Sequence, residues 1–427
     1  MRLLADFLIL MLHDSHLFVK AFNSMQTHQR ACANDTEIMD YLLVENNSTY
    51  QKNRLPTTPV EVRIEIWVQE VTSLSEMTQD FEIDLYMNEY WTDPRLSYDF
   101  LSPCQRNLSF DWVVMQDIWT PNTCFINSKH AQLHSSPFTN VFLMVFPNGS
   151  VWSNWRIKST GPCKMNISKF PMDDIECQLI FESYNYNNRE VKMRWNSNPY
   201  IQFKNISLPE FDMKSLKLSR ETREYAAGYW DELKATFYFR RRYQWYLLQG
   251  YIPTYMTVFI SWISFYLGAK AIPARTMICV NALLAMNFQF GNIMRNLPRS
   301  SDLKAIDIWM ISGMLFVFAS LVELAVVGWF MQEEAKPSFS RDNSRRWNLS
   351  KTSVMGEAPK KSRNLQYCEC VDFYSRIMFP LVYSLYNFYY WFIYMRASFE
   401  LLPYEEGFDP NNPIIEVNDY EKQYFQR

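Results

Sequence analysis

Net charge is almost absent from this sequence: 42 Lys and Arg meet 45 Asp and Glu, leaving a formal balance of −3. That excludes the basic footprint left by nucleic-acid binding. Histidine is scarce, with five in 427 residues and none arranged at i, i+4 on a helix as a helical metal site requires. No paired catalytic carboxylates and no nucleophile motif stand near an apolar segment, which argues against a membrane enzyme and implies no cofactor.

The most informative absence is local. No charged side chain occurs from Tyr243 to Ala269, from Thr276 to Met294, or from Ile377 to Met395, and the stretch Ile308 to Gln332 carries only Glu323. A single run of this kind is compatible with a buried core helix. Four of them in the second half of one chain predict an all-α membrane domain with four crossings, bounded by lipid.

The first half has the opposite character. "VEVRIEIWVQEV" (Val60–Val71) and "FEIDLYMNEYW" (Phe81–Trp91) alternate apolar and polar residues, as half-buried strands do. "VFLMVFPNGSVWSNWRI" carries a Pro-Asn-Gly turn between two strands, a hairpin signal. Strands with frequent turns predict an extracellular β-sandwich (Ig-like). Sequons at Asn34, Asn46, Asn47, Asn107, Asn148, Asn166 and Asn205 all precede the first charge-free run, and only Asn348 follows it. The opening "MRLLADFLILML" reads as a signal peptide over 1–25. The expected order is then a sandwich domain over 26–242, helices one to three over 243–331, a linker over 332–372, the fourth helix over 373–396 and an extracellular tail over 397–427. Lys336, Arg341, Arg345, Arg346, Lys351, Lys360, Lys361 and Arg363 place the linker in the cytosol. Arg240, Arg241 and Arg242 oppose that orientation, but a large translocated domain overrides local charge.

Five cysteines fall in the sandwich half, and an odd count leaves one unpaired or shared between chains. Cys104 and Cys124 are candidates for a bridge that spacing alone does not establish. Cys368 and Cys370 lie near the fourth run, where free thiols and palmitoylation are both open.

"CKMNISKFPMDDIEC" places Cys163 and Cys177 around Phe170-Pro171-Met172-Asp173. With "WTDPRL", "GYIPTYMTVFISWISFYL" and "KAIDIWM", it resembles the Cys-loop pentameric ligand-gated ion channels from about Pro59 to Met395. "YWDEL" and "NALLAMNFQFGN" resemble the nematode-type acetylcholine-gated chloride branch. The resemblance implies a Cys163–Cys177 disulfide, four further subunits around one pore, a small neurotransmitter as ligand and a postsynaptic plasma membrane.

On a helix, Met277, Asn281, Leu284, Phe288, Asn292 and Arg295 share one stripe. Asn281 and Asn292 are costly against lipid and cheap against water. By resemblance this stripe lines the pore, with Leu284 as an apolar gate that closes by dewetting. Cation channels of the family carry an acid just before the basic start of this helix. Here that place is Ala274, behind Pro273, and no acid lies between Lys270 and Arg295. A ring of Arg275 at the inner mouth is expected to attract chloride. Met277, Asn281 and Phe288 depart from relatives, and Met277 and Phe288 motivate an alternative, a non-conducting accessory subunit.

The ligand cage implied by the resemblance contains Tyr86, Tyr184, Tyr225 and Trp230, aromatic faces that attract ammonium groups. Where receptors for amino-acid transmitters place an arginine for the ligand carboxylate, this chain has Asn88, which favours a plain cation such as acetylcholine over GABA. Arg156 on a neighbouring strand is the nearest replacement, which leaves a GABA- or monoamine-gated anion channel as the alternative. The loop holding Tyr225 and Trp230 lacks the adjacent cysteines of cation-conducting acetylcholine receptors. A tyrosine of those receptors matches Ile126, so Phe125 is the remaining aromatic at that wall. The resemblance also assigns Glu76, Asp173 and Arg241, with the segment "RNLPRSSDLKAID", to the junction that couples the two domains.

Overall fold

A computed structural model describes residues 32–42, 50–203, 206, 208–268, 270–295, 297–299, 302–334, 363–399 and 414–417. The signal peptide, most of the linker and Asn46, Asn47, Asn205 and Asn348 lie outside the described residues. A short helix α1 (Asp35–Asp40), capped by Asn34, precedes the sandwich. Its strands are β1 (Val60–Ser75), β2 (Asp80–Thr92), β3 (Leu108–Phe110), β4 (Thr123–Phe125), β5 (His130–Leu133), β6 (Val141–Val145), β7 (Ser150–Met165), β8 (Asp174–Ser183), β9 (Val191–Gln202), β10 (Phe211–Tyr225) and β11 (Gly228–Arg241), with a one-turn helix α2 (Trp112–Met115) after β3.

Alternation builds the core. Val60, Val62, Ile64, Ile66 and Val68 of β1 are buried together with Phe81, Ile83, Leu85 and Met87 of β2. Fully burying each aliphatic of this kind contributes about 1.5–3 kcal/mol. The β1–β2 register shifts between Val68 and Glu70, so a bulge returns Val71 to the core side. One sheet runs β9–β1–β2–β7–β6, the other β10–β11–β8–β4, and β7 belongs to both: its body pairs with β2 and its end, Cys163–Met165, with β8. The β1–β9 pairing is parallel, which a purely antiparallel sandwich lacks. The expected hairpin joins β6 to β7. Its Gly149 has φ +80, and any Cβ there would collide with the Asp93 carbonyl.

Cys163 and Cys177 are cross-strand partners and form a disulfide. The second disulfide joins Cys32 to Cys104, not Cys104 to Cys124. Backbone bonds decide this: the Ala33 amide donates to the Ser102 carbonyl and the Cys104 amide to the Ala33 carbonyl, both at 3.0 Å, which sets Cys32 beside Cys104. Cys124 stays a thiol on β4.

The apolar half is helical. Helix α3 (Ile252–Trp262) is entered through a wide π turn (Leu247–Tyr251) and followed by α4 (Ile272–Arg295), α5 (Ala305–Glu334) and α6 (Arg363–Phe399). Pro253 has no amide to donate, and the Thr254 hydroxyl donates to the Gly250 carbonyl at 2.7 Å. Trp309 lies at the bundle centre, 4.9 Å from the Tyr255 ring and 5.0 Å from that of Tyr390. Helix α6 begins ten residues before the expected boundary at 373. Its first turns pack on α5 through Cys368 and Val327, so the charge-free run marked only part of the helix.

Candidate ligand cage, coupling junction and pore lining

Strand register sorts the residues around the tip of the β10–β11 hairpin. Glu232 pairs opposite Glu182, and Cys124 opposite Glu182, so these three share one face of the sheet. Trp230, two residues before Glu232, lies on that face as well. Its ring meets Tyr225 edge-on at 5.6 Å. The Tyr225 hydroxyl bonds both acids, Glu232 at 3.2 Å and Glu182 at 3.4 Å. Tyr184, which directly follows β8, is exposed. Both carboxylates are buried, and Glu232 is held by Arg223 at 2.6 Å and Lys234 at 3.5 Å. Burial, then the charge of Glu232, raises the pKa of Glu182 above the ordinary carboxylate range. Phe125 is a correction. It pairs with Phe181 on the opposite face, with rings 4.9 Å apart, and packs into the core instead of walling the cage.

A second aromatic group lies on the β1–β2–β7 sheet. Tyr86 meets Trp67 at 6.5 Å and Phe203 at 6.3 Å, with the Arg156 guanidinium 5.7 Å over its ring. Asp84 pairs with Arg156 at 3.0 Å and neutralises it locally. Asn88 is a further correction as a ligand contact, because it is fully buried. Its Oδ1 accepts from Trp152 Nε1 at 2.9 Å and from Asn154 Nδ2 at 2.7 Å, and the Trp152 indole covers it. Among the described residues no ring contact joins this group to Tyr184, Tyr225 and Trp230.

At the lower end of the sandwich the expected ionic cluster is assembled. Arg241 grips Asp173 with two nitrogens, at 2.7 and 3.1 Å, and also pairs with Glu76. Its burial alone would pull the guanidinium pKa down, but the Asp173 and Glu76 carboxylates outweigh that and hold it above its ordinary value. Arg241 also covers the Phe170 ring at 4.7 Å. Phe170 in turn meets Tyr246 at 4.7 Å, and its carbonyl accepts from the Ile306 amide at the start of α5 at 3.2 Å. The loop between Cys163 and Cys177 thus touches the helices directly.

Helix α4 separates two faces. Arg275, Cys279, Ala282, Met286 and Ile293 are buried against the other helices, while Pro273, Ala274, Met277, Asn281, Leu284, Phe288 and Asn292 are exposed along one stripe. Arg275 is the third correction: it does not ring a pore. Two residues before Met277, it is rotated about 200° around the helix axis. Its side chain is 0% exposed and pairs with Asp372 at 2.8 Å and Glu323 at 3.2 Å.

Comparison with known proteins decides what these sites belong to. Residues 35–243 match the neurotransmitter-gated ion-channel ligand binding domain, and 250–366 match the neurotransmitter-gated ion-channel transmembrane region. The chain belongs to the neurotransmitter-gated ion-channel family. It is 48% identical to the acetylcholine-gated chloride channel subunit acc-1 of Caenorhabditis elegans, over 88% of this chain and 93% of that protein. It is 42% identical to the serotonin-gated chloride channel mod-1 of the same organism, over 72% of this chain and 63% of that protein. The human gamma-aminobutyric acid receptor subunit rho-3 is 29% identical, over 83% of this chain and 86% of that protein.

Sequence reasoning did not single out Trp67, Trp152 and Phe203, which the structure groups with Tyr86, or Glu182 and Glu232, which bond Tyr225. Signals for some of them existed. Trp67 is the cross-strand partner of Tyr86, and Glu232 lies in the quoted "YWDEL" on the face of Trp230. Neither can be used without the strand register.

Proposed function

We propose that this chain is a subunit of a pentameric chloride channel opened by a small organic cation, with acetylcholine the leading candidate. The observation that carries the ligand class is the Tyr225–Trp230 pair set over the buried Glu182–Glu232 acids. Aromatic faces and negative charge both favour an ammonium group. The guanidinium over the Tyr86 ring, Arg156, is spent on Asp84, so it is not free to grip a ligand carboxylate. Because the two aromatic groups lie apart on one chain, the cage forms where neighbouring subunits meet. Acetylcholine gating is named for the relative acc-1.

Selectivity for chloride rests on what faces the inner mouth. Pro273 and Ala274 are exposed at the start of α4, with no acid beside them. Five helix N-termini there would present partial positive charge to an anion. A monoamine is the second reading, because Glu182 offers an acceptor for ammonium N–H groups that acetylcholine does not use, and mod-1 is a serotonin-gated relative. The test is expression in oocytes with a panel of acetylcholine, serotonin and GABA. The leading reading predicts the largest current with acetylcholine. A larger serotonin current selects the second reading, and a larger GABA current contradicts both. Current only on co-expression with a related subunit would make this chain an accessory one.

A further inference from the structure

The outer edge of β10 is not bare. Strand β12 (Ile414–Val417), from the tail beyond α6, lies along it in a parallel ladder. Lys217 pairs with Ile414, Leu218 with Ile415, Ser219 with Glu416 and Arg220 with Val417. Without β12 this edge of the sheet would end in unpaired backbone amides and carbonyls. The sequence suits the segment to that place. Ile414, Ile415 and Val417 are β-branched, the type that strands favour. Pro413 stands just before them, where a missing amide costs the ladder nothing, and the turn formers Asn418 and Asp419 follow.

Chain direction accounts for the parallel sense. Helix α6 ends on the sandwich side of the bundle: the Tyr390 hydroxyl donates to the Ala305 carbonyl at 3.0 Å, within the cluster that includes Phe170. Strand β10 starts at the same level, since Phe211 pairs with Arg241. A segment that leaves α6 and climbs the sandwich therefore runs the way β10 runs. The fourteen residues 400–413 have a maximum reach of about 50 Å. The climb along β10 from Phe211 to Lys217 takes only about 20 Å.

We propose that Ile414–Val417 is a strap: it docks as an extra strand on β10 of its own subunit and restrains the hairpin that carries Tyr225 and Trp230. The pairing stops at Arg220, five residues before Tyr225, so the strap grips the base of the hairpin and not its tip. A ligand that draws the tip inward has to carry the strap along or part the ladder. The strap therefore opposes closure. Its docking is independent of the ligand, whereas the restraint rests on the cation-cage reading.

The test uses the full chain at the oocyte surface. Neighbouring strands lie about 4.8 Å apart, inside the Cα range of about 4.4–6.8 Å that a disulfide spans. Ser219→Cys with Glu416→Cys should therefore oxidise within one subunit. The readout is an impermeant maleimide that labels each single variant above the wild-type level but labels the double variant only after reduction. The subunit should stay monomeric on a non-reducing gel. Ser219→Cys with Ile415→Cys, out of register by one residue, should label without reduction. Amides alternate along a strand, so Ile415→Pro with Glu416→Pro removes one that faces β10. That variant should lower the half-maximal concentration of whichever agonist opens the wild-type channel by roughly 2- to 10-fold. The oxidised Ser219→Cys, Glu416→Cys variant should raise it until reduced. Full labelling without reduction, or equal protection of both cysteine pairs, would show that no strand docks in this register. Cross-linked dimers would put the tail on a neighbouring subunit, and an agonist response that neither variant moves would show a strand that restrains nothing. Each of these results overturns the proposal. Failure of acetylcholine as the agonist appears separately, in the wild-type panel, and the cross-link is read with no ligand present.

Discussion

At the scale of single residues, charge placement sets how the cage responds to pH. Glu182 has its pKa raised by burial and by the neighbouring Glu232, so acidification neutralises it at a higher pH than an ordinary carboxylate. A cation ligand favours the ionised form. Lowering external pH toward the ordinary carboxylate range should therefore weaken agonist binding before an unshifted carboxylate would titrate, seen as a rising half-maximal concentration. Glu182→Gln should weaken binding at neutral pH and flatten that pH dependence. An unchanged pH profile in this variant would assign the effect to another group. The aromatic residues of the proposed cage, Tyr86, Tyr184, Tyr225 and Trp230, were legible through motif resemblance. Phe125 was not, because its place depends on parity in the β4–β8 ladder: Cys124 pairs with Glu182, which turns Phe125 toward Phe181.

At the scale of elements, helix α4 shows which part of a pattern is legible. The exposed stripe through Met277, Asn281, Leu284 and Phe288 follows from helical spacing. The fate of Arg275 does not, because its partners Glu323 and Asp372 come from α5 and α6, far along the chain. A guanidinium next to a charge-free run looks like a pore ring until those helices are packed. The two features separate experimentally. Arg275→Gln leaves two buried carboxylates without a cation, a loss of about 3–5 kcal/mol, and should sharply reduce surface expression. Ala274→Glu sits on the exposed stripe and should leave surface expression near wild type while moving the reversal potential toward that of cations. Abundant surface protein from Arg275→Gln would show that the buried ion pairs do not hold the bundle together.

At the scale of the whole molecule, the sandwich and the bundle meet through Phe170, Arg241 and the start of α5. Strand alternation and charge-free runs made both domains readable, and the residue classes of the junction came with the Cys163–Cys177 motif. Its physical content, a buried Arg241 gripping Asp173 and covering the Phe170 ring, required the structure. Arg241→Gln should leave agonist binding to the distant cage intact while cutting maximal current, because removing one partner of a buried pair destabilises the relay. Equal losses in binding and in current would instead indicate global misfolding. The central claim is that an acid-free inner mouth passes chloride when a cation closes the cage. It is tested most directly by recording agonist-evoked reversal potentials while external chloride is replaced by a large impermeant anion. The account predicts a shift of about 59 mV for each tenfold change in chloride, with no response to replacing sodium. A reversal potential that follows sodium and ignores chloride would contradict it.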